Sequence, residues 1–233
     1  MRTIAAGCTS VEYGDDHDTM GGYTAHMNAF QKERLGWLNY GSSPAIQTVT
    51  ATGDYFVANY ENGTAGPKAL KIWNPNTNTY YYVEERAGLG FDSGVAPGVV
   101  MHTGSPTVAN SSYQVDLDPM SSAFSSTLGV GQMFSDNTLG LRVTTVTTST
   151  DGALMHVDFG SATCSASSPN VWLAPSYQVA APGYPASYTV NVTNNDSAAC
   201  SPASFNISAA VPAGWSASAP GISSLSPGAS ASI

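Results

Sequence analysis

The apolar and polar positions of this chain change rhythm twice. Between residues 24 and 38 the side chains Met27, Phe30 and Leu38, with Arg34 between them, follow three- to four-residue steps. That stripe predicts an amphipathic helix over Thr24–Leu38, with Thr24 as N-cap and Gly36 weakening the last turn. From Ile46 the rhythm shortens. IQTVTA (46–51) and DYFVANYE (54–61) are rich in β-branched and aromatic residues and are separated by Thr52-Gly53. ALKIW (69–73) and TYYYVEE (79–85) flank the turn-forming run Asn74 to Asn78. GVVMH (98–102), SYQVDL (112–117), LGLRVTTVTT (139–148) and ALMHVDF (153–159) follow, with Asp151-Gly152 as a hairpin signal between the last two. Such runs predict strands. They imply an antiparallel sandwich, or a sheet packed on an incomplete domain.

A second change falls at 161–170, SATCSASSPN, which reads as a small-residue linker. Beyond it the composition turns to Ser, Ala and Pro, with Asp196 as the one charged residue. Tyr188, Val190 and Val192, then Phe205, Ile207 and Ala209, alternate with polar residues, a pattern expected of an immunoglobulin-like sandwich. The last residues, 230–233, fall within an expected final strand, so this sandwich is expected to be truncated. The predicted fold is mainly β, in three segments: 1–43 (turns plus the helix), 44–160 (β-rich) and 161–233.

Charge narrows the range of partners. Asp and Glu outnumber Lys and Arg by sixteen to seven, giving a net charge of −9. Charged residues make up only 10% of the chain, against about 25% in typical domains. With no basic run to hold phosphates, nucleic-acid binding is not expected. An acidic surface is also repelled by anionic membranes. No apolar run approaches the ~20 residues that cross a bilayer, so no membrane span is expected. The first fourteen residues carry one Arg and a very short apolar piece, too little for a signal peptide. Absence of a signal ordinarily points to the cytoplasm, unless the true start of the protein lies upstream of Met1. Of the three cysteines, Cys164 and Cys200 flank a β-rich segment and are able to pair in an oxidising compartment, which leaves Cys8 over.

Two ordered motifs then suggest a kinship. Tyr13-Gly14-Asp15 followed by Asp18-Thr19-Met20-Gly21 resembles the Met-turn of gametolysin-type zinc metallopeptidases, members of the metzincin group. The run from His26 through Asn28-Ala29, Gln31-Lys32 and Leu35-Gly36-Trp37 resembles the helix that follows it there. The match covers about the first forty residues, so 1–43 reads as the end of a catalytic domain. Tyr82 to Arg86, Gly90-Phe91-Asp92, Gly98 to Val100 and Val130 to Phe134 resemble landmarks of the β-rich segment that trails such domains. Val190 to Asp196, Cys200 and Val211 to Trp215 resemble an Ig-like accessory domain found beside bacterial α-galactosidases and other secreted hydrolases. The resemblance implies a secreted parent with zinc and a protein or peptide substrate. It also implies a Cys164–Cys200 disulfide, and a carbohydrate or cell-surface ligand for the last segment.

The zinc chemistry itself is missing. Zinc peptidases of this kind need two His one helical turn apart, a Glu general base and a third ligand. This chain has His17, His26, His102 and His156, spaced 9, 76 and 54 residues apart, and no H-E-x-x-H. No catalytic, cofactor-binding or metal-binding residue is therefore assigned, and the chain alone is expected to be non-catalytic. Met20 is expected to shape the floor of a zinc site rather than to react. Tyr23 is a candidate to face a metal, as a tyrosine does in some metzincins, although its offset from Met20 differs from theirs. His26 is expected at the helix start, His17 in an exposed loop, and His102 and His156 on strands. Asp15, Asp16 and Asp18 offer oxygens from one loop, as calcium prefers, but lack the EF-hand spacing and read as a solvated acidic turn. Glu84, Glu85 and Asp92 evoke a glycosidase pair. Adjacent Glu84 and Glu85 face opposite sides of a strand, however, and Arg86 is placed to neutralise a carboxylate.

Overall fold

The structure is a computed structural model and describes residues 10–118, 123–181, 183–197 and 199–233. Cys8 lies outside the described residues. The chain is mainly β, and the described residues form fourteen strands and one short α-helix. Two compact units divide it, the first ending at Ser161 and the second running from Ala162 to Ile233.

The first unit holds two sheets. Strands β1 (Ile46–Thr48), β3 (Ala69–Asn74), β4 (Thr79–Arg86), β5 (Gly98–Gly104) and β6 (Tyr113–Gln114) lie side by side in the order β1-β3-β4-β5-β6. Strands β2 (Gly53–Ala58), β7 (Met133–Asp136), β8 (Leu141–Ser149) and β9 (Gly152–Phe159) form the second sheet, in the order β2-β9-β8-β7. All pairs are antiparallel except β1 with β3. The period-2 alternation explains why the sheets stack. Leu70, Ile72, Tyr81, Val83, Val99 and Met101 of the first sheet meet Val57, Phe134, Val143, Met155 and Val157 of the second in one buried cluster. The expected sandwich is therefore present in this unit.

The opposite face of the five-stranded sheet is covered by helix α1 (Ala29–Arg34). Ala29, Phe30 and Leu38 pack there on Ile46, Ala69 and Tyr82. Gly104 makes this approach possible, because a Cβ at that position would lie 2.3 Å from the Phe30 ring. The helix is much shorter than the stripe from Thr24 to Leu38 predicts. Its N-cap is Asn28, not Thr24, and the Asn28 side chain accepts from the Gln31 N–H. Upstream, the carbonyls of His26 and Met27 accept from Arg86 instead of helical N–H groups. Downstream, Gly36 adopts φ +73°, which ends the helix.

The second unit contains a three-stranded sheet, β10 (Asn170–Ala174), β11 (Thr189–Thr193) and β14 (Ser230–Ser232), and a hairpin-like pair, β12 (Ala203–Phe205) with β13 (Ile222–Leu225). Val192, Ile222 and Leu225 form its small core, with Val190, Phe205 and Ile207 against them. Tyr188 and Ala209, expected inward, are exposed. Cys164 and Cys200 are joined in a disulfide.

Candidate functional site

Residues 10–28 form a loop whose acidic side chains do separate structural work. Asp18 caps a 3-10 turn over Thr19–Gly21. One carboxylate oxygen accepts from Met20 N–H and the other from Asn28 N–H, both at 2.8 Å. Burial raises its pKa despite these two hydrogen bonds. Asp15 reaches strand β5 and pairs with His102 at 2.9 Å. Asp16 lies 2.5 Å from the His17 ring and accepts from the Gln114 amide. Asp18 is buried and Asp15 and Asp16 are partly so, which corrects the reading of a solvated acidic turn. His17, expected to be exposed, is buried, with its second ring nitrogen 2.8 Å from the Ala96 carbonyl oxygen. The Met-Gly-Gly turn itself needs both glycines. A Cβ on Gly21 would lie 1.7 Å from the Asp15 carbonyl oxygen, and Gly22 is left-handed at φ +88°.

Polar fixings thus hold the turn from one side, while its other side is open. Met20 is 57% exposed, and Val11, Tyr13 and Tyr23 are exposed too. Val11, Tyr13 and Met20 line a hollow of about 470 Å³ together with Asn28, Gln31 and Tyr113. A catalytic zinc does not fit these residues: no histidine lines the hollow, and Asp15 and Asp18 are committed to His102 and to backbone N–H groups.

Between α1 and the sheet lies a buried ionic network. On strand β4, Glu84 and Arg86 are two residues apart and share the α1 face, while Glu85 points to the opposite one. Arg86 is fully buried, donating to Glu84 at 3.2 Å and to Asp92 at 3.0 and 3.2 Å. Tyr60 donates to the other Glu84 oxygen at 2.6 Å. His102 Nδ1 is 3.1 Å from Glu84, so its ring lies between Glu84 and Asp15. The Lys32 ammonium sits 3.0 Å from the centre of the Tyr60 ring.

The charge states follow from this packing. Desolvation opposes ionisation of Glu84, yet Arg86 and His102 hold its pKa well below the usual carboxylate range. Desolvation likewise opposes the charge on His102, but Asp15 and Glu84 override it and push the pKa up to about 10. Lys32 lacks comparable compensation, and burial brings its ammonium down to about 7. Glu85, buried on the other face with Oε2 unpartnered, is pushed up to about 7 by desolvation and then by the charge of Asp92. Glu84 and Asp92 are both clamped to Arg86, which leaves neither free to act as a glycosidase acid or nucleophile.

A second convergence lies at the rim of this network. His26, Glu61 and Asp92 bring one donor atom each to within 4.8 Å of one another. The composition of the chain gave no warning of it, because Glu61 reads simply as the end of a strand. His26 does not start the helix. Its N–H donates to Asp92 and its ring lies against Tyr60 and Phe91. His156 sits apart on the outer face of β9, 2.6 Å from Asp54.

No protein-family model, curated protein or solved structure matches the chain.

Proposed function

We propose that this chain is the C-terminal portion of a secreted zinc-dependent endopeptidase and is inactive as a peptidase on its own. The observation that carries this reading is the asymmetry of the Met20 turn. Asp15 and Asp18 anchor it from beneath, while Met20, Tyr13 and Val11 present apolar surface to solvent. Apolar groups fixed outward on a rigid polar base suit a surface completed by another part of a protein. The resemblance of Tyr13–Gly21 and of His26–Trp37 to a Met-turn and its following helix names that part as a zinc-binding catalytic half. The Cys164–Cys200 disulfide fits an oxidising, extracellular setting. Purified chain assayed on unstructured protein substrates, with and without added zinc, is expected to show no hydrolysis. Zinc-dependent hydrolysis would overturn the claim of inactivity. An in-frame H-E-x-x-H with a further His in the coding sequence upstream of Met1 would establish the parent's chemistry.

A second reading rests on the aromatics of the second unit. Trp172, Tyr177, Tyr184 and Trp215 are all more than half exposed, whereas core aromatics would be covered. Exposed rings suit stacking on sugar faces, so this unit is a module for carbohydrate or cell-surface attachment, or a spacer. Tryptophan fluorescence titrated with a panel of soluble polysaccharides separates these roles; binding supports the module and its absence leaves a spacer.

A further inference from the structure

We propose that His26, Glu61 and Asp92 form a structural site for a divalent transition-metal ion, separate from any peptidase zinc. The three residues come from distant parts of the first unit: the loop before α1, the segment after β2, and the 3-10 turn Gly90–Gly94. One imidazole and two carboxylates form a mixed nitrogen and oxygen donor set. Such a set suits zinc, cobalt or manganese better than calcium, which prefers oxygen alone. Their donor atoms all lie within 4.8 Å of one another. Around a tetrahedral zinc, ligand atoms stand roughly 3.3 Å apart, so side-chain movements of about 1 Å close the shell.

Each ligand is already held from behind. The Phe91 N–H donates to Glu61 Oε1 at 2.9 Å. Among the described residues, Oε2 of Glu61 receives no hydrogen bond. Gly90, at φ +56°, passes so close that a Cβ there would lie 2.0 Å from that oxygen, so glycine at this position leaves room for the carboxylate. Asp92 accepts from His26 N–H and from Arg86, three contacts that leave one of its four lone-pair positions open. The His26 ring packs against Tyr60 at 5.3 Å and Phe91 at 5.6 Å, which fixes the plane of its Nε2 lone pair. These are the supports that hold ligands in metal sites.

His26 Nε2 and Glu61 Oε1 are 2.8 Å apart, so the ring nitrogen and the carboxylate oxygen already face each other across the site. Both side chains keep partial access to solvent, giving an ion a route in. The local charge also permits a cation. Three carboxylates, Glu61, Glu84 and Asp92, face Arg86 and Lys32; Arg86 pairs with both Glu84 and Asp92, and Glu61 is the carboxylate of the three that it does not pair with. The site joins three segments of chain, so its occupation would fasten the loop before α1 to the sheet.

The test is calorimetric titration of the full chain, carrying Cys8→Ser to remove the remaining thiol, with Zn²⁺, Co²⁺, Mg²⁺ and Ca²⁺. Binding of one equivalent of Zn²⁺ and Co²⁺, with visible Co²⁺ absorption bands and no binding of Ca²⁺ or Mg²⁺, is expected. His26→Gln and Glu61→Gln should each weaken Zn²⁺ binding at least about tenfold. Their far-ultraviolet circular dichroism should match that of the parent. His156→Gln, at the exposed pair with Asp54, should leave binding unchanged. Zn²⁺ at about 100 times its Kd should raise the unfolding midpoint of the first unit by roughly 5–10 °C, and should not do so in Glu61→Gln. Absence of Zn²⁺ binding, binding unchanged in both ligand variants, or loss of binding in His156→Gln would each overturn the proposal. None of these readouts involves peptidase activity, so the proposed function stands or falls separately.

Discussion

His102 Nε2 lies 2.9 Å from Asp15 Oδ2, joining strand β5 to a loop 87 residues earlier in the chain. The imidazole is fully buried, and its charge is maintained by Asp15 on one side and Glu84 on the other. Its folded pKa of about 10 exceeds the ordinary value of 6.5. The stabilisation is therefore complete below about pH 6.5 and is lost as pH rises towards 10. Lys32 acts in the opposite sense over nearly the same window. Its folded pKa of about 7 lies below the ordinary 10.5, so the cost of burying its ammonium is full below pH 7 and disappears towards pH 10.5. In the wild type the two slopes offset each other. Lys32→Met should expose the His102 slope, with stability falling continuously from pH 6.5 to 10. Urea denaturation at half-unit pH steps measures it; an unchanged slope in Lys32→Met would contradict the assignment.

Arg86 is the centre of the ionic network, and removing it leaves Glu84 and Asp92 buried without their cation. Arg86→Met should destabilise the first unit by about 3–5 kcal/mol. Arg86→Lys should recover only part of this, because one ammonium cannot serve both carboxylates in the planar geometry of guanidinium. Equilibrium denaturation followed by tryptophan fluorescence would rank the three proteins. Equal stability of Arg86→Lys and wild type would show that bridging geometry does not matter.

Glu85 is a stabilising substitution waiting to be made. Its carboxyl is buried, and its folded pKa of about 7 stands above the ordinary 4.5. A carboxyl raised in the fold is tolerated when protonated and costs stability once ionised, so the penalty grows from pH 4.5 to 7 and is full above that. Glu85→Gln should be more stable than wild type above pH 7, by about 1–3 kcal/mol, and the difference should vanish near pH 4.5. Thermal melts at pH 4.5 and 8 provide the comparison.

The second unit depends on its covalent link. Its buried apolar cluster is small, centred on Val192, Ile222 and Leu225. The Cys164–Cys200 bond closes a loop of sequence separation 36. Replacing both cysteines by serine should cost this unit about 2–4 kcal/mol while leaving the unfolding of the first unit unchanged. Limited proteolysis of the full chain, read by mass spectrometry, should then cut after residue 161 first.

Most strands of the first unit are legible in the sequence because their residues alternate or are β-branched. Tyr81 and Val83 against Tyr82 and Glu84 already describe the two faces of β4. The helix was less legible. Phe30 and Leu38 pack as the stripe suggests, but a stripe does not reveal that Arg86 occupies the carbonyls of His26 and Met27. The buried charges were the least legible, since Asp15, His102 and Asp92 meet only through tertiary pairing. One local signal was available: Glu84 and Arg86 stand two apart on a strand, and that spacing alone puts them side by side. Their burial was hidden, because charged strand residues ordinarily face water.

Strand β4 also works as a parity check on the whole first unit. Odd positions 81 and 83 belong to the apolar sandwich, and even positions 84 and 86 carry the ionic pair beneath the helix. An insertion of one residue between Asn78 and Tyr81 would send Glu84 and Arg86 into the apolar layer and turn Tyr81 and Val83 towards Asp15 and Asp92. Two inserted residues would restore the faces and shift only the partners. Insertions within β4 should therefore be accepted in even steps and rejected in odd ones, whereas the turn over residues 75–78 can lengthen by either.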